Sequence, residues 1–451
     1  MLRRKVEKEL LDWKETSHKA LLVTGARQIG KSYAIREFGK RHYGSFVEFN
    51  LMNDAEVREA LSSAANATDF INRVVLLAGE TLQEGDTLVL IDEIQECPDV
   101  MTMAKFLVED GRFSYAFSGS MLGTEFKGVR SFPVGYVHEV RMFPLDFEEY
   151  CWGVSVPAFA LEEIRGAFRE RRAVDVAIHE KLLRTFRSYL VVGGMPEVVQ
   201  RYIDDGYVLN VVRDLQQELN GQYRYDIAKY AGSRALQVRD IFDQMPIQLE
   251  DKNDRFKLTS LGKDVRYERY KEEFIWLVNA GVALKVEQVS EAKSPLKRTE
   301  VPSMFKLYQS DIGMLTARYP QSTARALYLD ERMPNFGGLY ENVVAQELAA
   351  QQIRPYYYAK DEVGEVDFVI EGKSGHVVPI EVKSGRKFRS HAALDRLLAN
   401  KESRASEGVV LCRGNVEVNG KVSYLPFYMA MCLGEFGESR EGDFVLAPGW
   451  G

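Results

Sequence analysis

The stretch Gly25-Ala26-Arg27-Gln28-Ile29-Gly30-Lys31-Ser32 fits the pattern G-x-x-x-x-G-K-[ST] in full, and it dictates what its flanks must be. Such a loop works only between a buried strand and a helix. Its backbone N–H groups and the positive end of the helix must converge on one anion. Both flanks are present: residues 20–24 (ALLVT) read as a short buried strand, and Lys31–Lys40 reads as a helix. Gly25 and Gly30 let the backbone curl, and Ala26, Arg27, Gln28 and Ile29 complete the cradle. Lys31 then reaches the β- and γ-phosphates as a point charge, and the Ser32 hydroxyl is placed to ligate Mg²⁺. The expected ligands are ATP and Mg²⁺.

The second half of the site lies about 60 residues on, in TLVLIDEIQ at 87–95. A continuous apolar run reads as a central parallel strand, and it delivers Asp92 at its C-terminal end, where ligands bind in open α/β sheets. Asp92 is expected to hold the metal and Glu93 to polarise the attacking water. Taken alone, the same Asp-Glu pair also describes a helix cap. A third strand, FSYAFS at 113–118, ends in polar residues. Ser118 or Ser120 there can contact the γ-phosphate or orient water, and a plain strand-to-loop turn explains them as well.

Length and composition set the frame. At roughly 100–200 residues per domain, 451 residues suggest two to four domains. A net charge of −7 excludes a basic field over the whole protein, so any contact with nucleic acid must use a local patch. Cys97, Cys151, Cys412 and Cys432 form no CxxC pair and read as ordinary thiols of a reducing compartment. No apolar run is long enough to span a membrane, and the start has no signal-peptide core, so a cytoplasmic protein is expected. Strands alternating with helices make residues 1–154 a doubly wound α/β domain of the P-loop NTPase kind. Residues 155–230 read as a helical lid, broken at Val192-Gly193-Gly194-Met195-Pro196. Residues 231–300 hold a helix, a strand-like FKLTS, a longer helix ending near Gly281 and a strand, an order that resembles a winged helix. Residues 301–451 return to α/β.

On these motifs the chain resembles the AAA-type ATPases of bacteria and archaea that carry an appended C-terminal domain of unknown function. The phosphate loop of that family reads G-x-R-Q-x-G-K-[ST], matched by Gly25–Ser32, and its second motif D-E-I-Q is matched by Asp92–Gln95. A sensor strand ending T-G-S corresponds to Ser118-Gly119-Ser120. P-L-x-F-x-E-[FY] corresponds to Pro144–Tyr150, and Y-x-x-x-G-G-x-P to Tyr189–Pro196. The resemblance covers nearly the whole chain. One departure stands out: the family usually has Arg or Lys after the glycine at 135, and this chain has Tyr136. A γ-phosphate sensor role for that residue would be vacant here or fall to Arg130 or Arg141.

The C-terminal part carries GEVDFVIEGKSGHVVPIEVKSG at 364–385. Glu381 and Lys383 are two apart and share one face of a strand, and a neighbouring strand with Asp367 can bring the three together. This D…E-x-K set is the core pattern of the restriction-endonuclease-like fold, which the appended domain of the family also resembles. Asp367 and Glu381 are then expected to hold a metal, and Lys383 to position a water. Glu341 and Glu347 on a preceding helix are candidates for a further acid. Polar strand faces also carry such residues as a plain ion-paired set. Residues 383–404 add seven Lys/Arg against two acids, a patch suited to phosphates or to a solvated face. Two readings follow: an ATP-driven enzyme acting on DNA, or an ATP-dependent switch whose nuclease-like domain binds a protein partner and cuts nothing.

Overall fold

The computed structural model describes residues 2–120, 133–250, 255–262, 265–331, 336–372, 375–400 and 403–436. The chain forms two compact units, each assembled from separated segments. The first takes Met1–Leu145, Val192–Asp243 and Arg269–Ala283; the second takes Asp146–Val191, Gln244–Glu268 and Leu284–Gly451.

The first unit is organised by five strands: β1 (Ala20–Thr24), β2 (Ser45–Asn50), β3 (Thr87–Asp92), β4 (Ser114–Ser118) and β5 (Val137–Arg141). They lie in the order β2-β3-β4-β1-β5, and every pair is parallel. Parallel strands need crossovers, which the helices Lys31–His42, Ala55–Ser62, Ala67–Ala78 and Asp99–Asp110 supply. The sheet is covered, so β3 is buried along its whole length, as its unbroken apolar run requires. Thr24, Asp92 and Ser118 end their strands at one edge of the sheet, and the phosphate loop leaves β1 there. β5 has no counterpart in the sequence reading. Only Val140 of this edge strand is buried, so it carries no apolar signature.

The turn at 192–196 closes against this unit. Leu145 N–H donates to Gly194 O at 2.7 Å. A Cβ on Gly194 would stand 2.0 Å from Leu145 O, so only glycine allows the approach. Pro196 then opens the next helix at a position where its missing N–H costs nothing. The helices Pro196–Asp204 and Leu209–Tyr230 belong to this unit, whereas Asp146–Val191 belong to the other. The stretch 155–230, expected as one lid, is therefore divided.

The second unit holds an eight-stranded mixed sheet. Its strands are β6 (Ala283–Val289), β7 (Glu300–Gln309), β8 (Tyr356–Lys360), β9 (Gly364–Glu371), β10 (Val377–Lys383), β11 (Gly408–Cys412), β12 (Glu417–Asn419) and β13 (Val422–Pro426). The order is β12-β13-β11-β10-β9-β8-β6-β7. The helix Gly337–Ala350 is buried from Gly338 to Leu348, which removes the one-sided pattern of a surface helix. The winged-helix expectation for 231–300 is corrected here. Its strand β6 pairs in parallel with β8 of this sheet, FKLTS forms a short 3₁₀ turn at Leu258–Leu261, and the helix Tyr267–Asn279 falls mainly in the first unit.

Gly194→Ala should lower stability by about 1–3 kcal/mol, because backbone on both sides must yield. Gly221 lies in the helix Leu209–Tyr230, and a Cβ there would meet nothing within 4 Å. Gly221→Ala should therefore raise stability by about 0.4–1 kcal/mol. Urea midpoints for the two variants, compared at unchanged slope, check both signs.

Candidate functional sites

Asp92 closes β3 and is buried. A buried carboxylate needs donors, and three elements provide them. Ser32 Oγ donates to Oδ1 at 2.7 Å, Asn50 Nδ2 to Oδ2 at 2.9 Å, and Ser118 Oγ to Oδ1. Gly25 at φ +137° and Gly30 at φ +86° give the loop its curl, and Gln28 is left-handed as well. Arg4 braces the loop, donating to Ile29 O at 2.9 Å and to Phe143 O at 2.7 Å. The Lys31 ammonium donates to Gly25 O at 3.1 Å and Ala26 O at 2.7 Å. Burial pulls its pKa down to about 8, against the upward pull of Glu93 and Asp92. Glu93 has a left-handed backbone at φ 55°, and its carboxylate accepts from the Gln95 amide.

Ser120, just past β4, accepts from Arg27 Nε at 3.2 Å. Arg27 also pairs with Asp226 and donates to Tyr230 OH at 3.0 Å, both on the helix Leu209–Tyr230. Tyr136 is placed elsewhere: its carbonyl accepts from Ala20 N–H at the start of β1, the end of the strand away from the loop. Its hydroxyl donates to Glu109 at 2.8 Å. Arg141, in register with Thr24, is at the loop edge, with its guanidinium 5.2 Å from the Phe143 ring centre. Arg130 lies outside the described residues. Beside the loop is a cavity of about 470 Å³, lined by Leu10, Gly30, Tyr33, Ala34, Phe38 and Pro196 among others. Sequence reasoning missed Asn50, Asp226 and this cavity. The only signal for Asn50 was a polar residue ending the FVEFN strand.

In the second unit, the register Ile380↔Phe368 puts Glu381 opposite Asp367, so β9 and β10 present both carboxylates on one face. Val382 N–H donates to Asp367 Oδ2 at 2.8 Å. Lys383 donates to Glu381 Oε1, while the buried Oε2 has no partner among the described residues. A residue that sequence reasoning overlooked stands among them. Lys306 of β7 is 1% exposed, with Nζ 3.0 Å from Glu341, 3.0 Å from Glu365 and 3.9 Å from Asp367. Tyr308 OH adds a donor to Glu341 at 2.8 Å, and Arg255 pairs with Glu365 at 3.0 Å. Of the two helix acids, Glu341 joins this group. Glu347 accepts instead from Phe147 N–H at 2.8 Å and Tyr189 OH at 3.3 Å.

Burial, and then the neighbouring Glu341 and Glu381, push Asp367 well above the usual carboxylate range. Burial also raises Glu381, against the pull of Lys383. For Lys306 burial acts downward, yet Glu341, Tyr308 and the other acids hold it well above its ordinary value. Among the described residues no group of three or more His, Cys, Asp or Glu side chains is arranged to hold a metal ion. The ammonium of Lys306 lies within 4 Å of Glu341, Glu365 and Asp367, and Glu381 pairs with Lys383. The basic stretch 383–404 is partly committed: Arg389 pairs with Glu417 and Arg396 donates to Val363 O at 2.8 Å. Lys401 lies outside the described residues.

Comparison with known proteins bears on the first unit. Residues 17–151 match the family model described as an AAA domain. Residues 183–324 and 336–429 match two models described as domains of unknown function, DUF8612 and DUF4143. Among curated proteins none matches. Distant likenesses exist among solved structures. A Walker-type ATPase of Pyrococcus abyssi is 13% identical with a TM-score of 0.43, over 70% of this chain and 96% of that one. The RuvB Holliday junction branch migration motor of Thermotoga maritima is 11% identical at 0.29, over 74% and 96%. The ORC1 protein of Aeropyrum pernix, solved in complex with DNA, is 11% identical at 0.27, over 73% and 93%. Residues 17–151, which hold the phosphate loop and Asp92, are thus similar to AAA domains.

The raised pKa of Asp367 predicts a sign. The folded chain keeps that proton at pH values where the unfolded chain, at the ordinary value of 3.8, has lost it. The associated stability is present at low pH and is lost as pH rises from the ordinary value through the raised one. Asp367→Asn should remove this slope, so in urea unfolding its stability relative to the wild type should rise as pH climbs above the ordinary carboxylate value. A parallel pair of pH profiles would overturn it.

Proposed function

We propose that the first unit binds ATP with Mg²⁺ and hydrolyses it, and that the chain works as an ATP-dependent switch whose nuclease-like second unit cuts nothing. The observation that carries the first half is the meeting of Ser32 and Asp92 at 2.7 Å, where Lys31 opens the helix after the loop and Glu93 follows β3. These oxygens fit Mg²⁺: both are hard donors, and Asn50 fixes the second oxygen of Asp92. Ser32 and Asp92 would hold Mg²⁺, which would supply positive charge to offset the charge on the phosphates. The protein's own part is positional. Gly25–Gly30 cradle the phosphates through backbone N–H groups, with Ala26, Arg27, Gln28 and Ile29 between. Lys31 turns its ammonium from the loop carbonyls to the phosphates. Ser118 holds Asp92, Gln95 holds Glu93, and Glu93 takes the proton of the attacking water. The apolar cavity beside Gly30 and Tyr33 receives the nucleoside.

Glu93→Gln should keep ATP binding and slow turnover by about 10²–10⁴, the usual cost of losing a general base. Lys31→Ala should lose binding itself. Calorimetry with ATP and a phosphate-release assay read the two effects separately. Unchanged turnover in Glu93→Gln would leave that residue as a helix cap, and wild-type behaviour of Lys31→Ala would sink the reading.

For the second unit the deciding observation is Lys306. Metal-dependent cleavage through Asp367, Glu381 and Lys383 is the competing reading, and it needs the carboxylates free for a cation. A buried ammonium already shared by Glu341 and Glu365 supports the scaffold reading. The wild type should neither cleave plasmid DNA with Mn²⁺ nor show Mn²⁺ binding that Glu381→Ala abolishes. Lys306→Ala should cost about 3–5 kcal/mol, because it strands buried carboxylates. Mn²⁺-dependent cleavage lost in Glu381→Ala would restore the nuclease.

A further inference from the structure

Arg27 sits in the phosphate loop, yet its side chain reaches away from it. Nε donates to Ser120 at 3.2 Å, one terminal nitrogen pairs with Asp226, and the other donates to Tyr230 OH at 3.0 Å. The Tyr230 ring lies 4.9 Å from the guanidinium carbon, a cation–π distance. Gln222, Asp226 and Tyr230 follow one another at four-residue spacing, so a single face of the helix Leu209–Tyr230 meets the loop. Gln222 bonds Gln28 on the same face, and Tyr223 OH donates to Arg27 O at 3.3 Å. Arg27 also lies close enough to bear on the site itself: burial acts downward on it while Asp226, Tyr230 and then Glu93 raise it, and behind burial it adds a downward push on the Lys31 ammonium.

A cradle built from backbone N–H groups does not need an arginine. We propose that Arg27 supplies, in cis, the guanidinium that binds the terminal phosphate of the nucleotide, and that Asp226 is its resting partner. The inference rests on the ATPase reading of this site. A planar fork with five donors suits the oxygens of a phosphoryl group, over which transition-state charge is spread. Exchanging a carboxylate for a phosphate keeps the arginine paired throughout. It leaves Asp226 as a carboxylate without its cation, and the helix then loses its grip on the loop. A diphosphate has no terminal group to hold Arg27, so the pair re-forms after hydrolysis. The triphosphate and the helix compete for one cation.

The test compares ATPγS with ADP by calorimetry, and follows kcat, for the wild type, Arg27→Ala, Arg27→Lys and Asp226→Asn. Arg27→Ala should leave ADP affinity within about threefold while ATPγS affinity falls about tenfold or more, the scale of hydrogen bonds to a charged group. Its kcat should fall by about 10² or more, since an arginine in this role is worth roughly 10³–10⁵. Arg27→Lys should recover part of the ATPγS preference, keeping the charge without the fork. Asp226→Asn should strengthen ATPγS and leave ADP alone. Equal losses for both nucleotides in Arg27→Ala would make it a structural brace, and a wild-type ATPγS:ADP ratio in Arg27→Ala or Asp226→Asn would overturn the competition. Should Arg27→Ala fail to fold, the Lys and Asn variants decide by the same ratio. Lys31→Ala separates the two claims. If the wild type binds neither nucleotide, the ATPase reading falls and takes this one with it. If the wild type binds and Lys31→Ala loses both nucleotides while Arg27→Ala keeps the ratio, only the role of Arg27 fails.

Discussion

A carboxylate buried at the end of a parallel strand is tolerated only where donors surround it, and Asp92 sets that condition for the first unit. Its donors come from the phosphate-loop helix, the end of β2 and the end of β4. Each is a short side chain and cannot reach far. The C-terminal ends of β2, β3 and β4 must therefore fall level, with the loop after β1 folded over them. The order β2-β3-β4-β1-β5 accomplishes this by setting β4 between β3 and β1, which puts Ser118 directly between Asp92 and the loop. One polar requirement thus fixes the register of an otherwise apolar sheet. It also assembles the oxygen donors that a metal–nucleotide complex needs.

The second unit meets the same difficulty with a different chemistry. Glu341, Glu365, Asp367 and Glu381 gather around Lys306, Lys383 and Arg255. If all were ionised, four acids would face three cations. Burial first, and then the crowding of like charges, shifts Asp367 and Glu381 upward, against the pull of the lysines. Lys306 enters from β7, at the edge of the sheet order, and Arg255 pairs from a separate segment. The acid pair on β9 and β10 is thereby tied to chain far from it in sequence, and its charge is compensated from within the protein.

What the sequence disclosed follows from how local each feature is. The phosphate loop, β1 and β3 were legible because motif, apolar run and flanking helix lie within a dozen or so residues. The pairing of Asp367 with Glu381 was legible because a short turn joins their strands. β5 was not, since an edge strand with one buried residue has no pattern to read. The elements of 231–300 were found nearly in place, but their assembly depends on β8, some 70 residues beyond β6, and no local rule links the two. Lys306 left a sign that was passed over. It sits in FKLYQ, where Phe305, Leu307 and Tyr308 are all buried, and a lysine inside such a run must have anionic company. Asp226 left none, because a helix with many polar residues does not disclose which of them faces a loop almost 200 positions earlier.

Exposure separates the cations that can change partners from those that cannot. Lys306 has 1% of its side chain in contact with solvent and three carboxylates within 4 Å, so any departure would strand several charges at once. Arg27 is 21% exposed and Asp226 12%, and the arginine's other partners are a serine hydroxyl and a tyrosine, both neutral. Leaving Asp226 therefore breaks one charge pair, which an incoming phosphate replaces. Arginine suits such an exchange for a further reason: its charge is delocalised and weakly hydrated, so it moves between anions with less desolvation than an ammonium would need. The same requirement, a cation beside a buried acid, produces a fixed strut in one unit and a transferable contact in the other. The difference lies in how many anions each cation has to abandon.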